Sequence, residues 1–261
     1  MSIPLDTIPE PARHAWLTLR NELTGILGND LVVIWAYGSV VGADRPMRPA
    51  DLDTHVILRR APDPSTARRI EQALDGIGGV EFDVWFVTLD EARRNAQPPH
   101  AFREGRRDTA WAIHRSHWLA GRVVTVHGPD PMEIVVPPTW DDVKGELDRE
   151  LEHIERHLQE GDTDPYEAAY AVLNGSRILH SLETRDPVMS KRDAGNWALD
   201  HLPDLWRPAL EAALRAHDER HSAADARLLA AEMAPFVAMV RQHLPPSDGR
   251  ATDDGPRWSG Y

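Results

Sequence analysis

The chain has 261 residues, 41% of them apolar and 27% charged, enough for one large domain or two small ones around a sizeable core. The absence of cysteine excludes disulfides and thiolate metal sites. No apolar run is long enough to span a bilayer and no secretory signal is visible, so a cytoplasmic protein with no membrane partner is expected. The formal charge of −13 argues against nucleic acid as a partner; it fits either simple solubility or an acidic cleft that concentrates a cationic small substrate.

From the start of the chain to about Gly28, Ala15, Leu19, Leu23 and Ile26 fall at helical spacing, which predicts one N-terminal helix. Asn29-Asp30 marks a turn, and the apolar run Leu31 to Tyr37 predicts a buried strand that Gly38-Ser39 ends. After a stretch rich in Gly, Pro and Arg, Asp51 to Leu58 reads as a second strand. A helix over 65–77, broken by Gly78-Gly79, and a third strand over 80–88 follow. Residues 108–120 read as helical and 121–139 as a Gly/Pro-punctuated connection. Helices are predicted over roughly 140–160, 165–184, 190–201, 205–217 and 222–243, with Thr139 and Ser190 as start signals. The fold class is thus α+β (or α/β): a mixed sheet with helical cover over residues 1–135, then an all-α bundle over 136–245. Residues 246–261 are expected to form a disordered tail.

The chemistry concentrates in Gly38-Ser39 and Asp51-Leu52-Asp53. Residues two apart on a strand share a face, so Asp51 and Asp53 project side by side. Two adjacent carboxylates repel unless a cation neutralises them, and Mg²⁺ favours one or two carboxylates completed by phosphate oxygens and water. Gly38 allows close approach of a phosphate to the backbone, and the Ser39 hydroxyl can hold its oxygens. The third strand adds Glu81 and Asp83 on one face. Asp83 is the preferred third carboxylate, with Glu81 in reserve, placed to take a proton from an attacking hydroxyl. A lone Asp-x-Asp usually marks a solvated strand end; the apolar strand, the Gly-Ser and the third acid together raise this one above that reading. The histidine pairs His114/His117 and His153/His157 have helical spacing but no third metal ligand placed by sequence. No P-loop and no nucleophile elbow is present.

This combination resembles the nucleotidyltransferase superfamily, and within it the aminoglycoside adenylyltransferases that modify streptomycin and spectinomycin. The segments Tyr170 to Leu179, Ser190 to Ala198 and Leu202-Pro203 are similar to that family's C-terminal helical domain, so the resemblance covers roughly residues 30–217. It implies a Mg²⁺-dependent, antibiotic-resistance type of enzyme that transfers AMP from ATP, bound between the two domains, to an aminoglycoside. It also implies that Arg177 and Lys191 contact the nucleotide phosphates, that Glu167 contacts the protonated amino sugar, and that Trp111 lines the drug site; core burial is an equal expectation for Trp111. One departure from the family is Ala50, where a serine is frequent. The alternatives are transfer to a lincosamide, another metabolite or a protein, and a noncatalytic nucleotide- or drug-binding homologue. A monomer or weak oligomer is expected.

Overall fold

In a computed structural model of the chain, the described residues are 2–41, 51–160 and 164–244; Ala50 and the 246–261 tail lie outside them. The chain divides into two units, with the break between Pro138 and Thr139. No described helix is long and apolar enough to cross a membrane.

The first unit begins with helix α1 (Glu10–Leu27), which buries Ala15, Trp16, Leu19 and Leu23. Strands β1 (Leu31–Ala36), β2 (Leu52–Leu58), β3 (Phe82–Thr88) and β4 (Val124–His127) form a sheet in the order β3-β2-β1-β4. β1 pairs antiparallel with β2 and β4, whereas β2 and β3 run parallel. Helix α2 (Pro64–Gly76) provides the crossover that parallel pairing requires. Its N-cap Asp63 accepts bonds from Ser65 and Thr66 N–H. The short α3 (Leu89–Ala92) and α4 (Trp111–Leu119) complete this unit. β4, a four-residue edge strand, lies within residues 121–139, which were expected to be connection only.

Strand alternation separates two cores. On one face Ile34, Leu52, Val56, Val84 and Phe86 pack with α1 and with Ile70 of α2. On the other, Val33, Trp35, Tyr37, Ile57 and Val87 pack with Trp111 and Trp118 of α4. Because every residue of the Asp-x-Asp pair and of the third acid is odd-numbered, the candidate chemistry falls on this second face.

The second unit is helical: α5 (Trp140–Glu160), α6 (Pro165–Thr184), α7 (Lys191–His201), α8 (Arg207–His217) and α9 (Ala223–His243). Thr139 and Asp142 cap α5 reciprocally, at 3.0 Å from Thr139 N–H to Asp142 Oδ2 and 3.2 Å from Asp142 N–H to Thr139 Oγ1. Ser190 caps α7 by accepting from Asp193 N–H. α6 is the central helix: it buries Val172, Leu173, Ile178 and Leu179, and Phe236 of α9 lies against Gly175.

Candidate active site

The parallel register places Asp53 directly beside Asp83, and Asp51 precedes β2 on the same face. Carboxylate oxygens of Asp51, Asp53 and Asp83 lie within 4.8 Å of one another. Asp51 is buried at 7% exposure, and the other two are half-buried. Burial raises the Asp83 carboxyl above its ordinary value; His114 opposes this, Asp108 adds to it, and Arg106 and Arg103 oppose it. Three hard oxygen donors in such a cluster suit Mg²⁺ or a similar divalent ion. Glu81, the reserve for the third acid, is exposed just ahead of β3; its carbonyl accepts from Leu52 N–H at 2.8 Å, and its carboxylate is outside the cluster.

Gly38 closes the floor of the site. It has φ +79°, and a Cβ placed on it would lie 2.6 Å from Asp53 Cγ. β1 is joined there to β2 by Tyr37 N–H donating to the Asp53 carbonyl at 3.1 Å. Ser39 is exposed in the following turn.

Beneath the carboxylates is a buried polar network that the sequence did not single out as a unit. His55 Nε2 and His114 Nδ1 each lie 3.0 Å from Asp108 Oδ2, and Ala110 N–H donates to Asp108 Oδ1 at 3.0 Å. Burial alone would raise Asp108, but the two histidines outweigh it and hold the carboxyl well below its usual range. Burial pulls His55 down to about 4 against the opposing bond from Asp108, so it is neutral. The Tyr37 ring stands 5.3 Å from His55 and 5.1 Å from His114. Alternation on β1 and β2 could have put Tyr37 and His55 on the carboxylate face; the arrival of Asp108 is tertiary. His114 therefore meets Asp108 and His55. The other pair, His153 and His157, has ring centroids 4.2 Å apart on α5.

Trp111, which the resemblance places against the drug, is 0% exposed. Its indole N–H donates to the Arg94 carbonyl at 3.1 Å, and its ring packs on Trp118 at 5.4 Å. It is a core aromatic, and no surface is lined by it.

In the second unit, Lys191 Nζ lies 4.4 Å from the centre of the Tyr170 ring, and the Tyr170 hydroxyl donates to Glu150 at 2.8 Å. Arg177 donates to Asn174 Oδ1 at 3.0 Å. Burial, then Glu150, raises the Tyr170 phenol well above its ordinary value; Arg177 opposes this and Glu167 reinforces it, which places both charges near the same ring. Glu167 is half-buried in the first turn of α6.

Residues 142–243 match the family model for the aminoglycoside adenylyltransferase C-terminal domain. Among solved structures, the fold matches that of a spectinomycin adenyltransferase, AAD(9), from Enterococcus faecialis, crystallised with ATP and spectinomycin. The TM-score is 0.69 over 87% of this chain and 98% of that one, at 13% identity. No curated protein matches the sequence. The helical unit thus matches the aminoglycoside adenylyltransferase C-terminal domain, and the fold of the chain is similar to that of a spectinomycin adenyltransferase.

Proposed function

We propose that the protein transfers the adenylyl group of ATP, with Mg²⁺, to a hydroxyl of a small cationic acceptor, an aminoglycoside of the streptomycin or spectinomycin type. The convergence of Asp51, Asp53 and Asp83 on one sheet face, in a fold of this kind, carries the proposal. Mg²⁺ held by these carboxylates would polarise the α-phosphate as a Lewis acid. Asp83 takes the proton of the acceptor hydroxyl as its oxygen bonds to the α-phosphorus. The bond from that phosphorus to the bridging oxygen breaks, and pyrophosphate leaves with the electron pair. Gly38 and Ser39 hold phosphate oxygens, Arg177 and Lys191 offset the charge of the triphosphate and its leaving group, and Glu167 pairs with an ammonium of the acceptor.

The burial of Trp111 favours a second reading, in which the chemistry is kept and the acceptor is not an aminoglycoside. Mass spectrometry of small molecules after incubation with Mg²⁺, ATP and a drug panel decides between them. One AMP added to a drug, lost with chelator and lost in Asp53→Asn, is the expected result. No adduct on any drug, with ATP still bound, removes the aminoglycoside and leaves the second reading.

A further inference from the structure

Arg106 belongs to a tight turn on the segment that covers the open edge of β3. Its N–H donates to the Arg103 carbonyl at 3.4 Å, and its own carbonyl accepts from His100 N–H at 2.8 Å. Ala101 N–H donates to the Phe86 carbonyl at 2.7 Å, which fastens the segment to the strand. The Arg106 guanidinium lies over the indole of Trp85, with Cζ 5.6 Å from the ring centroid. Asp83 and Trp85 are two residues apart on β3 and share a face, so a cation over Trp85 stands one side-chain step, about 7 Å, along the strand from Asp83.

The neighbouring arginines have partners. Arg103 Nε faces Glu71 at 3.4 Å, Arg94 pairs with Glu91 at 2.8 Å, and Arg115 donates to Asn95 and to the Val136 carbonyl. Arg106 forms no ion pair among the described residues, and its Nε is buried without a hydrogen-bond partner. An aromatic face offers no acceptor, so the buried Nε is left without one while the guanidinium charge already acts on Asp83, and an oxyanion beside Asp83 would supply that acceptor.

We propose that Arg106 binds phosphate oxygens of the nucleotide, a cation supplied by the same unit that carries the three carboxylates. The inference rests on the nucleotidyl-transfer reading above. A guanidinium presents a planar fork of donors that matches phosphate geometry, and a triphosphate engaged at the carboxylates brings such oxygens beside Asp83. A cation that merely offset the carboxylates would oppose Mg²⁺, so its removal would strengthen Mg-ATP binding or leave it unchanged, never weaken it.

The test is calorimetric titration of the full chain in Mg²⁺ with ATP and, separately, adenosine, using wild type, Arg106→Gln and Arg106→Lys. The expected result is that Arg106→Gln weakens ATP binding about 10- to 100-fold while adenosine binding and the thermal midpoint hardly change. Arg106→Lys should recover only part of the ATP affinity, since an ammonium lacks the fork. Unchanged ATP affinity in Arg106→Gln, or equal weakening for ATP and adenosine, overturns the inference. If Arg106→Gln does not fold, the same comparison in Arg106→Lys decides it. A wild-type chain that binds no ATP overturns the nucleotidyl-transfer reading itself, whereas wild-type binding with an indifferent Arg106→Gln overturns the role of Arg106 alone.

Discussion

Gly38 and the Asp53 carboxylate fill one space: the bare Cα at the end of β1 is what lets the side chain from β2 lie over it. The φ of +79° at Gly38 adds a conformational demand that L side chains resist. The strands cannot part to admit a methyl group, because Tyr37 N–H is bonded to the Asp53 carbonyl. Gly38→Ala should therefore push the carboxylate out of the cluster and lower the transfer rate by about 100-fold or more, with circular dichroism unchanged. Full activity in Gly38→Ala would mean that the position of Asp53 does not matter to the chemistry.

This relationship also marks how far the sequence could be read. The apolar run into Gly-Ser and the Asp-x-Asp pair were visible because strand periodicity is local; alternation put Asp83 and Glu81 on one face without choosing between them, and the register that sets Asp53 beside Asp83 is tertiary. The helices of the second unit were visible from their periodicity and caps, as at Ser190. β4 was not, because four residues between Gly121 and Gly128 carry too little pattern to separate a strand from a connection. Nor was the bonding of Asp108 to both His55 and His114, since it joins residues 53 and 6 positions apart through the packing of α4 on the sheet. Trp111 shows the limit of resemblance: a matching residue type can be a core ring.

Two buried histidines make stability depend on pH. Burial pulls His55 down to about 4, and burial, then Arg103 and Arg106, pulls His100 down to about 3. Unfolded, each takes up a proton near pH 6.5, so the unfolded chain binds more protons as the solution is acidified below that value. Stability should fall from about pH 6.5 toward pH 4, by roughly 1.4 kcal/mol per pH unit for each histidine. Urea midpoints at pH 7.5, 6 and 5 would measure it. His100→Asn keeps an acceptor for the N–H groups of Phe102 and Arg103, which now donate to His100 Nδ1, and should remove one histidine's share of the slope. A midpoint that is flat between pH 6.5 and 5 would contradict this.

The aromatic ring under Lys191 gives a test of its expected role. Tyr170→Phe keeps the ring and loses only the bond to Glu150, whereas Tyr170→Leu removes the cation–π contact. That contact is worth about 0.5–2 kcal/mol, so Tyr170→Leu should raise KM for ATP roughly 3- to 30-fold. Tyr170→Phe should stay much closer to wild type. An unchanged KM in Tyr170→Leu would argue that Lys191 does not meet the nucleotide from this position.

Gly195 separates packing from helix propensity. It lies in the middle of α7, where alanine would ordinarily be preferred by about 1 kcal/mol. A Cβ there would stand 2.7 Å from Leu173 Cδ2 of α6 and 2.8 Å from Leu214 Cδ2 of α8. Both leucines would have to give way at once in a close-packed interior, and overpacking of this kind costs about 1–3 kcal/mol. The clash should win, so Gly195→Ala is expected to lower the thermal midpoint of the helical unit. Gly145, within α5, supplies the contrast: the nearest atom to its Cβ is the far end of Arg149, at 3.8 Å. With nothing to displace, Gly145→Ala should raise the midpoint by the propensity gain alone. If calorimetry showed both substitutions stabilising, the close approach of α7 to α6 and α8 would have to be looser than these distances require.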